Sequence, residues 1–234
     1  MGTSTGTMTF SICVHETYAD AAGERTERFG VAVTTRLPAV GSLCPYVSEH
    51  GAIATQSMVN ERLGEKGLDY VADGVAVGDA LEALLNADDG RPERQVHGVD
   101  AEGTFAFSGA ECHGWYGARE GENYTVAGNL LAGASVVDAV ADAYASSDHT
   151  EALAPRLIDA LAAGQAEGGD KRDALTVQSA ALRVVTTADD EEAGGYGNDL
   201  RVDASESPVR DLRETYRSAT VEFARAAEAY EREE

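Results

Sequence analysis

The residues with most capacity for chemistry sit at the start of the first apolar alternation, Met8-Thr9-Phe10-Ser11-Ile12-Cys13-Val14-His15. A threonine that follows a methionine has two possible lives. It can open an ordinary strand. If the Met8-Thr9 bond is broken, the threonine hydroxyl gains its own α-amino group, and one residue then holds both a nucleophile and a general base. Cys112 is a rival nucleophile beside His113, but an isolated cysteine more often serves as a small buried residue. No GxSxG elbow occurs, so a Ser-His-Asp triad has no motif behind it. The three cysteines (Cys13, Cys44 and Cys112) and five histidines lie apart, without CxxC or HExxH spacing. No metal site and no cofactor are expected.

Other polar residues fall at the ends of apolar runs. Arg36 follows Thr34-Thr35 and precedes Leu37-Pro38. A cation there could lower a neighbouring pKa or bind a carboxylate, or it could be a solvated strand end. Asn129, after Gly128, could donate its amide to an oxyanion or act as a turn residue. Gln56 and Gln178 are strand-end amides suited to lining a pocket. Asp170 and Arg172 could pair to orient a loop, bind substrate, or belong to a surface turn.

The elements that must position these residues follow from periodicity. Phe10, Ile12 and Val14 alternate with Thr9, Ser11, Cys13 and His15, which is the period of a strand. Residues 29–36 alternate again after an acidic turn, giving a hairpin. Strands are expected at 43–48 and 51–57. Helices are expected at 64–73 and 77–86, the latter with the stripe Ala80, Leu81, Leu84 and Leu85. A second hairpin covers 94–100 and 103–109, and residues 114–122 read as a glycine-rich loop. A strand at 123–129, helices at 134–145 and 151–163, and strands at 178–185 and 200–203 complete the body, with an acidic loop at 189–197. From Pro208 a long helix repeats Val209, Leu212, Tyr216, Ala219, Phe223, Ala226 and Tyr230 at spacings of three and four. Such a stripe packs on its own domain or on a partner helix. Runs of strands alternating with runs of helices give an α+β chain with antiparallel sheets and outer helical layers.

Composition bounds the function. The 234 residues are 43% hydrophobic, enough for a sizeable core. Asp and Glu number 41 against 18 Lys and Arg, a net charge of −23, with Lys66 and Lys171 the only lysines. Spread along a chain this apolar, the charge reads as an acidic coat of the halophilic type. It argues against nucleic acid or anionic lipid as partners. No 18-residue apolar run and no basic leader point to a membrane or to secretion, and isolated thiols fit a cytoplasmic protein.

Several ordered stretches together resemble the DUF1028 family: Met8-Thr9-Phe10-Ser11-Ile12; Gly30-Val31-Ala32-Val33 with Ala39-Val40-Gly41; Gly51-Ala52-Ile53-Ala54-Thr55-Gln56; Arg94-Gln95-Val96; Gly128-Asn129-Leu130-Leu131-Ala132-Gly133; Gly168-Gly169-Asp170; and Gln178-Ser179-Ala180-Ala181-Leu182. The resemblance covers about residues 8 to 205. It implies the fold of the N-terminal nucleophile (Ntn) hydrolases, a four-layer αββα sandwich of two antiparallel sheets. Chains of this family typically begin Met-Thr, which puts Thr9 at the nucleophile position and makes residues 1–7 a leader or a mis-set start. The resemblance also favours a functional part for Asn129. The resulting expectation is an amidohydrolase cleaving a small amide, lactam or peptide-like bond through Thr9. Asn129 would hold the oxyanion, and Arg36, Gln56, Gly128, Asp170, Arg172 and Gln178 would meet substrate. The alternative is a non-catalytic scaffold that binds a ligand or assembles, with residues 206–234 as a helix for the domain or for a homodimer partner.

Overall fold

The structure is a computed structural model that describes residues 9–19, 23–169, 175–187 and 197–231. Two antiparallel sheets lie face to face. The six-stranded sheet runs β10-β9-β2-β1-β8-β7 and the four-stranded sheet β3-β4-β5-β6. The strands are β1 (Thr9–Ala19), β2 (Arg25–Thr35), β3 (Pro45–Ser48), β4 (Gly51–Ser57), β5 (Arg94–Asp100), β6 (Thr104–Ser108), β7 (Trp115–Glu120), β8 (Tyr124–Leu131), β9 (Gln178–Thr186) and β10 (Asp199–Ser205). The helices are α1 (Glu61–Ala72), α2 (Val77–Asn86), α3 (Ala134–Ala145), α4 (Leu153–Ala166) and α5 (Pro208–Glu231).

The expected α+β, four-layer αββα sandwich is what forms. Helices α3 and α4 cover the outer face of the larger sheet, α1 and α2 cover the smaller one, and the first turns of α5 pack beside β9 and β10. Strand β1 is central in its sheet, between β2 and β8, and both its faces are buried. Phe10, Ile12 and Val14 join the core under α3 and α4, while Cys13 joins the core between the sheets. The alternation read from the sequence is therefore an alternation between two interiors. At Gly164 of α4, an added Cβ would come within 2.5 Å of Val140 Cγ2 and 2.9 Å of Phe10 Cε2. The missing side chain lets α4 lie close over the head of β1.

Three expectations need correction. The stretch 114–122 contains a strand, β7, which pairs with β8 along the sheet edge. Its glycines hide an extended segment that carries half-buried Trp115 and Tyr116. Helix α1 begins three residues earlier than expected, because Asn60 accepts the backbone N–H of Arg62 and caps it. Strand β3 starts at Pro45, since residues 40–42 wind into a short 3-10 turn. The expected acidic loop at 189–197 falls almost wholly outside the described residues, as does the leader 1–7. In the tail helix Val209 and Leu212 are buried and Tyr216 packs against the same core, whereas Val221 and Phe223 are exposed.

Candidate functional site

Thr9 opens β1, with Thr35 of β2 and Asn129 of β8 as its Cα partners on either side. It is only 4% exposed, and its hydroxyl donates to Thr35 Oγ1 at 3.2 Å. Thr9, Thr35, Thr55 and Gln56 are the polar side chains that line a pocket of about 50 Å³ between the sheets. Apolar side chains of the 37–43 segment and Val59 line much of the remainder.

Next to Thr9 a layer of buried polar side chains joins the sheets. Gln95 of β5 is fully buried and is its hub. Its Oε1 accepts from Gln56 Nε2 and from Asn129 Nδ2, each at 3.0 Å. Its Nε2 donates to the backbone carbonyl of Gly128 at 2.9 Å and to Ser108 Oγ at 2.8 Å. Gln56 Oε1 accepts from Ser11 Oγ at 2.9 Å. Ser11 Oγ lies 2.7 Å from His97 Nε2, and His97 Nδ1 lies 2.8 Å from Thr125 Oγ1. Burial pushes the His97 pKa down to about 3, so the ring is neutral near pH 7. This network orders the amides around Thr9, and satisfied polar groups of this kind rigidify a core.

Backbone strain gathers at the same end. Among the described residues three that are not glycine have a positive φ: Ala39 (61°), Ser57 (68°) and Leu130 (55°). They follow Pro38 of the pocket wall, Gln56 and Asn129 in turn. Each such conformation costs on the order of 1–3 kcal/mol and tends to cluster where side chains must be aimed.

The remaining expected site residues are distributed as follows. Gly128 contributes its carbonyl to Gln95, and a Cβ on it would sit 3.1 Å from the Thr9 carbonyl. Arg36 reaches the carbonyl of Leu175 at 3.3 Å and is not on the pocket wall. Gln178 is not brought to Thr9. It accepts from Gln165 of α4 and donates to the carbonyl of Glu206, on the outer face of the larger sheet. The period of β9 turns its neighbour Ser179 inward instead. Ser179 Oγ accepts from Val40 N at 3.0 Å and donates to Leu37 O at 2.5 Å, holding the pocket wall. Asp170 and Arg172 lie outside the described residues. Cys112 is buried, donates to Arg94 O at 3.4 Å, and has its thiol pKa raised by burial, which fits packing rather than nucleophilic attack. No cluster of three or more His, Cys, Asp or Glu side chains that could hold a metal occurs among the described residues.

Ser11, Gln95 and His97, with Ser108 and Thr125 at the ends of the network, are the members that sequence reasoning passed over. Their signal was present as polar residues at alternate positions of strands with apolar neighbours, but it needed the second sheet to acquire meaning.

The sequence matches the "Family of unknown function (DUF1028)" over residues 9–212. The chain belongs to the DUF1028 family. The match begins at Thr9, covers the whole polar layer, and ends within α5. Among solved structures, the DUF1028 chain is similar to the crystal structure of protein SPO2555 from Silicibacter pomeroyi, itself ascribed to DUF1028. Identity is 26% and the TM-score 0.72, over 91% of this chain and 89% of that one. No curated protein matches the sequence. Membership carries the fold and the shared motifs, and leaves the chemistry to be argued from the site. Among the described residues, no helix is long and apolar enough to cross a membrane.

Proposed function

We propose that this DUF1028 protein is an Ntn-type amidohydrolase that cleaves a small amide, lactam or peptide-like bond with Thr9 as nucleophile. The observation that carries the reading is the position of the Thr9 hydroxyl: at the head of the central strand, on the wall of a pocket between the sheets, beside buried side-chain amides.

With Met8 removed, the Thr9 α-amine takes the proton of Oγ as Oγ attacks the substrate carbonyl. The Oγ–C bond forms, the C–N bond breaks, and the ammonium returns its proton to the leaving amine. Water then hydrolyses the threonyl ester and regenerates the hydroxyl. Asn129 Nδ2 gives one proton to Gln95 and keeps a second N–H for the oxyanion. Arg36, Gln56, Asp170 and Arg172 remain the proposed contacts for the rest of the substrate, and no cofactor enters the scheme. The start of the family match at Thr9 and the strained residues after Pro38, Gln56 and Asn129 support the reading.

The test is hydrolysis of an amide panel by a chain beginning at Thr9. Thr9→Ala is expected to lower the rate by roughly a thousandfold or more, as loss of a nucleophile does. Equal rates in the two chains would sink the proposal.

A non-catalytic scaffold that assembles as a homodimer is the second reading. It is favoured by Val221 and Phe223, exposed on the outer part of α5. Val221→Glu would shift a dimer toward monomer in sedimentation if that face mediates assembly.

A further inference from the structure

We infer that the pocket beside Thr9 selects a short, uncharged aliphatic acyl group, and that Val40 and Leu43 set the length it accepts. The inference rests on the reading of Thr9 as nucleophile and adds the substrate class.

Size comes first. The open space is about 50 Å³. About 10–15 Å³ of such space holds one water-sized group, so the pocket takes on the order of four heavy atoms. A chain of butyryl length fills it.

Chemistry comes second. Leu37, Pro38, Val40, Leu43 and Val59 give the pocket its apolar lining, Thr9, Thr35, Thr55 and Gln56 its uncharged polar lining, and no charged side chain among the described residues lines it. Cys44 also lines it, and burial raises its thiol pKa to about 12, so it carries no charge near pH 7. An ionised group entering this space would lose its hydration and meet hydroxyls and an amide, with no counter-charge among the described residues to offset that loss. The surface as a whole carries −23, which further disfavours an anionic acyl chain.

Rigidity comes third. The wall is not a loose loop. Ser179 Oγ bonds both Leu37 O and Val40 N, and Ala39 N donates to Asp203 O at 2.8 Å. A fixed wall discriminates by length, because each methylene too many must displace packed atoms.

The experiment uses β-lactones bearing methyl, propyl, heptyl or carboxypropyl chains, with intact-mass detection, on the full chain and on the chain beginning at Thr9. Thr9 Oγ opens the lactone, the ring C–O bond breaks, and the freed alkoxide takes the proton, leaving an ester of defined mass. Methyl and propyl probes are expected to label Thr9 at least about tenfold faster than the heptyl or carboxypropyl probes. Leu43→Ala, at a two-fifths exposed position that the fold tolerates, is expected to raise the heptyl rate about fivefold or more. Equal or faster labelling by the heptyl or carboxypropyl probe overturns the inference.

A second arm needs no reaction. In Thr9→Ala, butyramide is expected to shift the methyl resonances of Val40 and Val59, and succinamate is expected to leave them in place. Butyramide shifts without labelling of Thr9 by any lactone would defeat the nucleophile and keep the pocket. No butyramide shift would defeat the pocket, whatever Thr9 does.

Discussion

Gln95 donates its Nε2 to the carbonyl oxygen of Gly128 at 2.9 Å, and that contact sets the polarity of the buried layer. A backbone carbonyl can only accept, so the other end of the Gln95 amide must be its oxygen. Gln56 and Asn129 therefore present N–H to it, Gln56 presents its oxygen to Ser11, and Ser11 has spent its proton. The Ser11 oxygen must then accept from His97 Nε2–H, which leaves Nδ1 to accept from Thr125. The expected result is a neutral Nε2–H tautomer of His97 in nitrogen-15 NMR at pH 7. Gln95→Leu, which strands Gln56 and Asn129, should cost roughly 2–5 kcal/mol in denaturant unfolding. A Nδ1–H tautomer would reverse the whole chain of donors.

His97 also predicts an acid response. Its ordinary pKa is 6.5 and its folded value about 3. Between these values the unfolded chain binds a proton that the folded chain refuses. Stability is therefore present above pH 6.5 and drains as pH falls toward 3, with a slope approaching about 1.4 kcal/mol per pH unit. Urea midpoints from pH 6.5 to 4.5 should fall for the parent chain more steeply than for His97→Gln. Parallel slopes would show that the ring titrates normally.

A second buried cluster lies on the far side of β1. Glu16 takes hydrogen bonds from Arg156 (2.7 and 2.9 Å), Arg28 (2.8 Å) and Tyr144 (2.7 Å). Burial raises the Glu16 pKa, but the bonds from Arg156 and Tyr144 and the charges of Arg28 and Arg156 outweigh it and hold the carboxyl below its ordinary 4.5. This stability is present above pH 4.5 and is lost as pH falls through the lowered value. Glu16→Gln leaves Arg156, whose side chain is 2% exposed, without its counter-charge. The expected loss in thermal or chemical unfolding at pH 7 is about 3–5 kcal/mol. A loss below about 1 kcal/mol would mean that the arginines find other partners.

The charge of −23 predicts a salt requirement. Raising salt from 0.1 M to 1 M shortens the screening length from about 10 Å to about 3 Å. The melting temperature is expected to rise monotonically from 0.1 M to 2 M KCl, and a flat or falling curve would remove the halophilic reading of the acidic coat.

Much of the architecture was legible because its signals are local. The alternation of Phe10, Ile12 and Val14 gave β1, and the stripe of Ala80, Leu81, Leu84 and Leu85 gave α2. Strand β7 was not legible, since its glycines weaken the pattern and its pairing with β8 supplies the order. In the site, Gln56 and Asn129 could be named from the ends of apolar runs, and Thr9 from the Met8-Thr9 junction, with the family resemblance favouring Thr9 and Asn129. The partnership of Ser11 with His97 spans 86 positions and exists only through the packing of one sheet on the other. The inward turn of Ser179, rather than Gln178, depends on where the period of β9 is anchored. A strand-end position in sequence does not fix that face.

Catalysis by Thr9 turns on the Met8-Thr9 bond. Mass spectrometry of the N-terminal peptide, from protein isolated from its own cells and treated with the propyl β-lactone, tests it most directly. The expected product is a chain that begins at Thr9 and carries one acyl adduct on that residue. A chain still joined through Met8, with no adduct on Thr9, would contradict it.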